Sequence, residues 1–182
     1  MNERGAKKIR DVDTRSPLWK RIGIQIILVV TSPIWVALLL IMLALLPVYG
    51  LFRWLQGCWL RYHFERASGR AGKRILFVYS DSPNWKNYIE TNILPKIAPH
   101  AVIMNWSQRG QWQEKAPLEA KIFRHWAGDR EFNPIAIVVP KLGRVSTIRF
   151  WQAFKDAKHG KTKTIHAKEE ELFGVVRSLS HA

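Results

Sequence analysis

Charge is missing from one long block of this chain. Residues 22–52 (IGIQIILVVTSPIWVALLLIMLALLPVYGLF) run for 31 positions without an Asp, Glu, Lys or Arg. A helix on the surface of a soluble core needs a polar stripe, and this block has none. A membrane span needs about 20 apolar residues, so the block is long enough for one. A cleaved signal peptide of the usual form is excluded. Its apolar region would be only about 7–15 residues long, and no A-x-A cleavage site follows this one.

Other absences narrow the chemistry. Cys58 is the single cysteine, so no intrachain disulfide forms, and a reducing compartment fits. With six scattered histidines beside that one thiol, no zinc spacing exists, and no metal or cofactor is expected. There is no G-x-G-x-x-G and no G-x-x-x-x-G-K-[ST], the glycine-rich cradles that bring backbone N–H groups onto phosphates. There is no G-x-S-x-G nucleophile elbow either. Acid is scarce throughout, at 14 Asp+Glu against 29 Lys+Arg.

The cations frame the apolar block almost evenly. Arg4, Lys7, Lys8, Arg10, Arg15, Lys20 and Arg21 precede it; Arg53, Arg61, Arg66, Arg70, Lys73 and Arg74 follow it. Basic flanks stay cytoplasmic, so a plain single span would show a bias between its two sides. Two geometries fit. One is a tilted helix across the membrane, about residues 22–46. The other is a shallow re-entrant hairpin that breaks at Thr31-Ser32-Pro33, where proline removes a backbone donor. Lys20-Arg21, the apolar run and Ser32-Pro33 together resemble the re-entrant anchor of monotopic phosphoglycosyl transferases. The likeness spans roughly 30 residues and bears on topology alone. The Asp-Glu pair that those enzymes carry after the anchor occurs nowhere in this chain.

Residues 47–66 (PVYGLFRWLQGCWLRYHFER) predict an amphipathic helix. At 100° per residue Leu51, Phe52, Trp54, Leu55, Cys58, Trp59 and Tyr62 share one face, with Arg53 and Arg61 on the other. Leu60 and Phe64 break the pattern. Such a helix suits the headgroup layer, with Trp54 and Trp59 in the interface and Arg53 and Arg61 drawn to anionic lipid. A helix packed on the soluble domain is the other reading. Small residues at 67–72 (ASGRAG) predict a linker.

From residue 73 to 182, strand-like and helix-like segments alternate. Ile75–Tyr79, Ala101–Trp106 and Ile135–Val139 read as strands, with Thr164–His166 as a short fourth. Trp85/Tyr88/Ile89/Ile93, Leu118/Ile122/Phe123/Trp126, Ile148/Trp151/Phe154 and Leu172/Val176/Leu179 mark helices. Alternation implies parallel strands with helical crossovers. The expected fold is therefore α/β, a small Rossmann-like or flavodoxin-like three-layer domain with three or four mainly parallel strands. A transmembrane or re-entrant helix precedes it. The expected segments are a basic tail (1–21), an anchor (22–46), an interfacial helix (47–66), a linker (67–72) and a soluble domain (73–182).

In parallel sheets ligands sit beyond the carboxyl ends of the strands. Those ends would offer Asp81, Ser82, Arg109, Lys141 and His166, which could converge on a small anionic ligand. The first junction, RILFVYSDSPNW, also has a purely structural reading. Ser82 can cap a helix, Pro83 suits its first turn, and Asp81 is favourable near its positive end. The plan of strand, Ser-Asp-Ser, helix, strand is similar to that of TIR-type signalling domains. Members that hydrolyse NAD use a helical glutamate, for which Glu119 is the nearest match; no flanking motif accompanies it, and no catalytic role is carried over.

The stretch Lys141–Lys163 holds seven Lys+Arg against Asp156. Read as a nucleic-acid footprint, it would need Phe150, Trp151 or Phe154 to stack on bases. Their spacing is that of a buried helix face, so nucleic acid is not the expected partner. Anionic lipid is, with a protein partner or small-molecule ligand in addition. These observations lead to a protein of the bacterial inner membrane with its soluble domain in the cytoplasm. Its expected role is non-catalytic binding or signalling at the membrane face. An enzyme acting on an anionic or membrane-associated substrate is the alternative.

Overall fold

The computed structural model describes residues 18–111, 116–128 and 132–180; within its first helix it describes the side chains of Ile22 and of residues 31 onward. Residues 1–17 of the expected basic tail lie outside the described residues. Contacts divide the chain into two units, Met1–Phe52 and Arg53–Ala182.

Helix α1 (Leu18–Ala67) passes through Pro33 and Pro47 without interruption. The helix continues through Thr31-Ser32-Pro33, where the re-entrant alternative placed its break. Among the described residues, α1 is the one helix long and apolar enough to cross a membrane, and none of its apolar window is buried.

The second unit is mixed α/β. Its strands are β1 (Ile75–Tyr79), β2 (Ala101–Asn105), β3 (Ile135–Val138) and β4 (Ser146–Arg149), in the spatial order β2-β1-β3-β4. Between β1 and β2 lie α2 (Lys86–Tyr88), a wide π turn (Ile89–Ile93) and α3 (Leu94–Ile97). Pro95 has no N–H for the carbonyl four residues back, and the wide turn takes up that mismatch. Helix α4 (Leu118–Ala127) precedes β3; α5 (Trp151–Lys158) and α6 (Lys163–Ser180) follow β4.

The expectation of a mainly parallel, Rossmann-like sheet is corrected. Only β1 and β2 are parallel; β1–β3 and β3–β4 are antiparallel. The register gives the reason. Tyr79 of β1 lies beside Asn105, the last residue of β2, and Val78 lies beside Ile135, the first of β3. The chain therefore leaves β2 and enters β3 at the same end of the sheet. Between them Trp106 and α4 pack over one face, and β3 starts at the end where β2 finishes instead of at the opposite end. Two element assignments change as well. Ile148 lies in β4, not in a helix, and Thr164–His166 lies in α6, not in a strand.

Helices do cover both faces, and the pleat sorts the core. Ile75, Phe77 and Tyr79 pack with Ile89, Ile93, Phe150, Phe154, Ile165 and Leu172. Leu76 and Val78 pack with Trp106, Ile122, Phe123, Ile135 and Ile137 on the other face. Leu60 and Phe64 of α1 belong to that second layer, each 1% exposed. They are the two residues that broke the aromatic face of the sequence pattern. The seam is Arg53, Gly57, Leu60, Arg61 and Phe64, at helical spacing, while Trp54, Leu55, Trp59 and Tyr62 stay exposed.

The segment expected as a linker closes into a hydrogen-bonded turn. Ser68 N–H donates to the Phe64 carbonyl at 2.8 Å, and Lys73 N–H donates to the Ser68 carbonyl at 3.1 Å. Glycine is required at its end, where Gly72 has φ +75°. Next to this turn, Arg74 donates two bonds to the Glu65 carboxylate, at 2.6 and 2.8 Å. The Arg74 bonds hold the Glu65 carboxyl below its ordinary value, against a smaller opposing effect of burial. The last turns of α1 are thus built into the domain.

Truncation tests that placement. Phe64→Ala is expected to destabilise the domain by about 3–5 kcal/mol, as buried phenylalanines do. Tyr62→Ala, two residues away on the exposed side, is expected to change stability by less than about 0.5 kcal/mol. Denaturant unfolding of the full chain in detergent reads both. Equal effects would show that α1 does not contribute to the core.

Candidate functional site

The junction after β1 is an exposed polar network. The Asp81 carboxylate accepts from Asn105 Nδ2 at 3.0 Å and from Lys86 Nζ at 2.6 Å. Asp81 N–H donates to Ser107 Oγ at 2.9 Å, and Ser107 N–H donates to Asn105 Oδ1 at 2.9 Å. These bonds tie the carboxyl ends of the two parallel strands together. The Lys86 bond, then the Asn105 bond, hold the Asp81 carboxyl below its ordinary value. It is an ionised, occupied carboxylate, poorly suited to act as a general base near neutrality. Ser82 opens the helical turn: its carbonyl accepts from Lys86 N–H at 2.9 Å, and its Oγ lies 3.4 Å from Asn84 N. The short helix α2 itself begins four residues later, at Lys86.

The remaining candidates do not join Asp81. Arg109 turns back onto the Trp106 carbonyl, 3.4 Å away, within a 3-10 turn at Trp106–Gln111. Lys141 follows β3, which runs antiparallel to β1, so it lies at the opposite end of the sheet from Asp81. His166 lies on the first turns of α6, exposed, with Nδ1 3.2 Å from a Glu169 oxygen. It borders a hollow of about 370 Å³, floored by Tyr88, Phe154 and Ile165. Burial, with a bond to Glu169 second, pushes the Tyr88 phenol up to about 12, so it stays neutral there. Glu119 lies in the first turn of α4. Among the described residues no three His, Cys, Asp or Glu side chains gather as a metal site requires.

The Lys141–Lys163 cations spread over the β3–β4 loop, β4, α5 and the start of α6. Phe150 and Phe154 are buried core residues. Trp151 stacks on Phe132 with ring centroids 4.6 Å apart and lies under Lys155 Nζ at 4.6 Å.

A different cationic site forms at the other end of the sheet. Between α1, the end of α4 and the β3–β4 loop lies a cleft of about 390 Å³. Arg53, Arg61, Arg144, His125, Trp54 and Trp126 line it, along with Gly57 and Cys58, and among the described residues no carboxylate does. Arg61 donates to the carbonyls of Gly143 (2.7 Å), Pro140 (2.8 Å) and Lys141 (2.7 Å). Arg53 donates to the His125 carbonyl at 3.0 Å. Two of the arginines expected to face lipid are thus held by the domain, while Trp54 and Trp59 are exposed beside them. Burial, and secondarily the Arg53 charge, holds the His125 imidazole below its usual value, so it is neutral near pH 7. The approach is close at Gly57: a Cβ there would stand 3.0 Å from His125 Nε2, so the imidazole would have to shift by a few tenths of an ångström.

Sequence reasoning named Arg53, Arg61, Trp54 and Lys141 but not His125, Trp126 or Arg144. Those three are brought in by the antiparallel turn of β3 into β4 and by the close approach at Gly57, and neither has a motif. No known family, curated protein or solved structure matches this chain.

Two measurements check these networks. Carboxyl NMR titration should show the Asp81 midpoint rising toward its ordinary value in Lys86→Met, and by a smaller step in Asn105→Ala. The sign follows from the depressed value: the network's contribution is present above the ordinary carboxyl pKa and is lost as pH falls through the lower folded one. An unmoved midpoint would contradict the network. Arg61→Lys should destabilise the domain by about 1.5–3 kcal/mol, because an ammonium cannot serve three carbonyls with a planar fork. Unchanged stability would contradict the Arg61 clamp.

Proposed function

We propose that this protein is a membrane-anchored α/β domain with a non-catalytic binding role at the cytoplasmic face of a bacterial inner membrane. One observation carries the reading. The uncharged run ends at Phe52, and the next residue, Arg53, begins a cleft lined by three arginines and, among the described residues, no carboxylate. Chain connectivity thus sets a concentrated positive charge immediately after the apolar helix, where anionic headgroups lie.

The alternative is an enzyme acting on an anionic or membrane-associated substrate at the strand carboxyl ends. Its support is the Asp81, Asn105 and Ser107 network. The Lys86 ion pair argues against it, because it occupies the carboxylate that such chemistry would need.

Topology tests the leading reading, with a cysteine outside the cleft as reporter. In a Cys58→Ser background, Lys161→Cys, at an exposed position, is expected to react with a membrane-impermeant maleimide in inverted inner-membrane vesicles and not in intact spheroplasts. The protein should resist alkaline carbonate extraction, and Leu39→Arg with Leu43→Arg should abolish that resistance, since each charge costs about 2.5–3.5 kcal/mol at mid-membrane. Labelling in spheroplasts would reverse the orientation, and carbonate release of the unaltered protein would remove the anchor.

A further inference from the structure

We infer that the Arg53–Arg61–Arg144 cleft is a binding site for the phosphodiester headgroup of an anionic phospholipid. The inference rests on the membrane-face reading above and names the ligand and the site.

The first argument is uncompensated charge. An arginine paired with a carboxylate is neutralised in place. Arg53 and Arg61 are fixed by backbone carbonyls instead, so they are oriented and keep their full charge. Glu65, whose charge Arg61 feels, is committed through two bonds to Arg74. Arg144 is exposed and has no hydrogen-bond or ion-pair partner among the described residues. Two preset guanidinium groups and one exposed, unpaired one line a hollow of about 390 Å³, large enough for a headgroup. Arg144 has its whole fork for phosphate oxygens and Arg53 keeps donors beyond its one carbonyl bond, while Arg61, whose donors hold three carbonyls, contributes charge.

The second argument selects lipid over a soluble phosphate. The loop that supplies Arg144 reads Lys141-Leu142-Gly143-Arg144, and Leu142 at its tip is 85% exposed, more than any other large apolar side chain described. On the other wall, Trp54 is 64% exposed and Leu55 52%. Apolar side chains thus stand out on both walls of a cationic hollow. A soluble phosphate gives them nothing to bury against, whereas a lipid supplies acyl chains beside the phosphate. Trp54 at the rim fits the headgroup level that tryptophan favours.

Cys58 lines the cleft, is exposed and is the only cysteine, so its alkylation rate reports occupancy. The full chain in non-ionic detergent would be alkylated with iodoacetamide while short-chain dihexanoyl phosphatidylglycerol is titrated in. Dihexanoyl phosphatidylcholine and inorganic phosphate serve as the comparison arms. The expected result is saturable protection by phosphatidylglycerol, with much weaker protection from the other two. Arg144→Ala should raise the half-protecting concentration about fivefold, matching roughly one surface arginine, and Leu142→Ser should raise it for the lipid only. Equal protection by inorganic phosphate would overturn the lipid assignment in favour of a soluble phosphate ligand. Equal protection by phosphatidylcholine, or none by any probe, would overturn the site itself. Neither variant touches the apolar helix, so carbonate resistance is expected to persist in both, and failure of this site stays separable from failure of the anchor.

Discussion

The structure depends on the grip that the domain has on the last turns of α1. Leu60 and Phe64 enter the core beneath the sheet, while Arg61 holds three carbonyls of the β3–β4 loop. The two interactions are complementary. Burial of two large apolar side chains gives the adhesion, and a planar fork on backbone oxygens fixes the register. With this grip in place, the helix end is an element of the domain, the loop is drawn toward it, and the space left between them is the cationic cleft. Without it, Arg53 and Arg61 would be ordinary solvated cations on an amphipathic helix.

The direction of β3 matters almost as much. Because it runs against β1, the residues that follow β3 lie at the opposite end of the sheet from those that follow β1 and β2. Asp81 and Asn105 therefore close one end with a compact ion pair and amide network. Lys141, Gly143 and Arg144 join α1 at the other. The Asp81 end is closed by its ion pair, whereas at the other end Glu65 is committed to Arg74 and the guanidinium groups of Arg53, Arg61 and Arg144 have no carboxylate partner among the described residues.

Much of this was legible in the sequence. The absence of charge over 31 residues is a strong signal, because no soluble surface tolerates it. β1 and β3 stood out because each is buried on both faces, and β2, an edge strand with Ile103 exposed, stood out by its apolar run alone. Their direction did not. A strand covered on both sides has the same composition whether its neighbours are parallel or antiparallel, and direction is set by connections that carry no apolar pattern. β4 was missed for a related reason: as an edge strand it buries only Ile148, and Ile148, Trp151 and Phe154 coincide with helical spacing. Leu60 and Phe64 were visible as exceptions to the aromatic face, and the exceptions were the packing residues. Arg144 and His125 had no signal, since a loop arginine and a helix histidine acquire meaning only when a third element closes on them.

The central claim is that residues 53–64 are packed into the α/β domain and form one wall of the cleft. Paramagnetic relaxation from a nitroxide on Cys58, read by NMR on the full chain in detergent micelles, tests it most directly. The account predicts strong broadening of the amides of His125, Trp126 and residues 143–145, with Asn84 and His166 unaffected. Sharp signals from His125 and residues 143–145 would contradict it, because the helix end would then stand apart from the sheet and no cleft would exist.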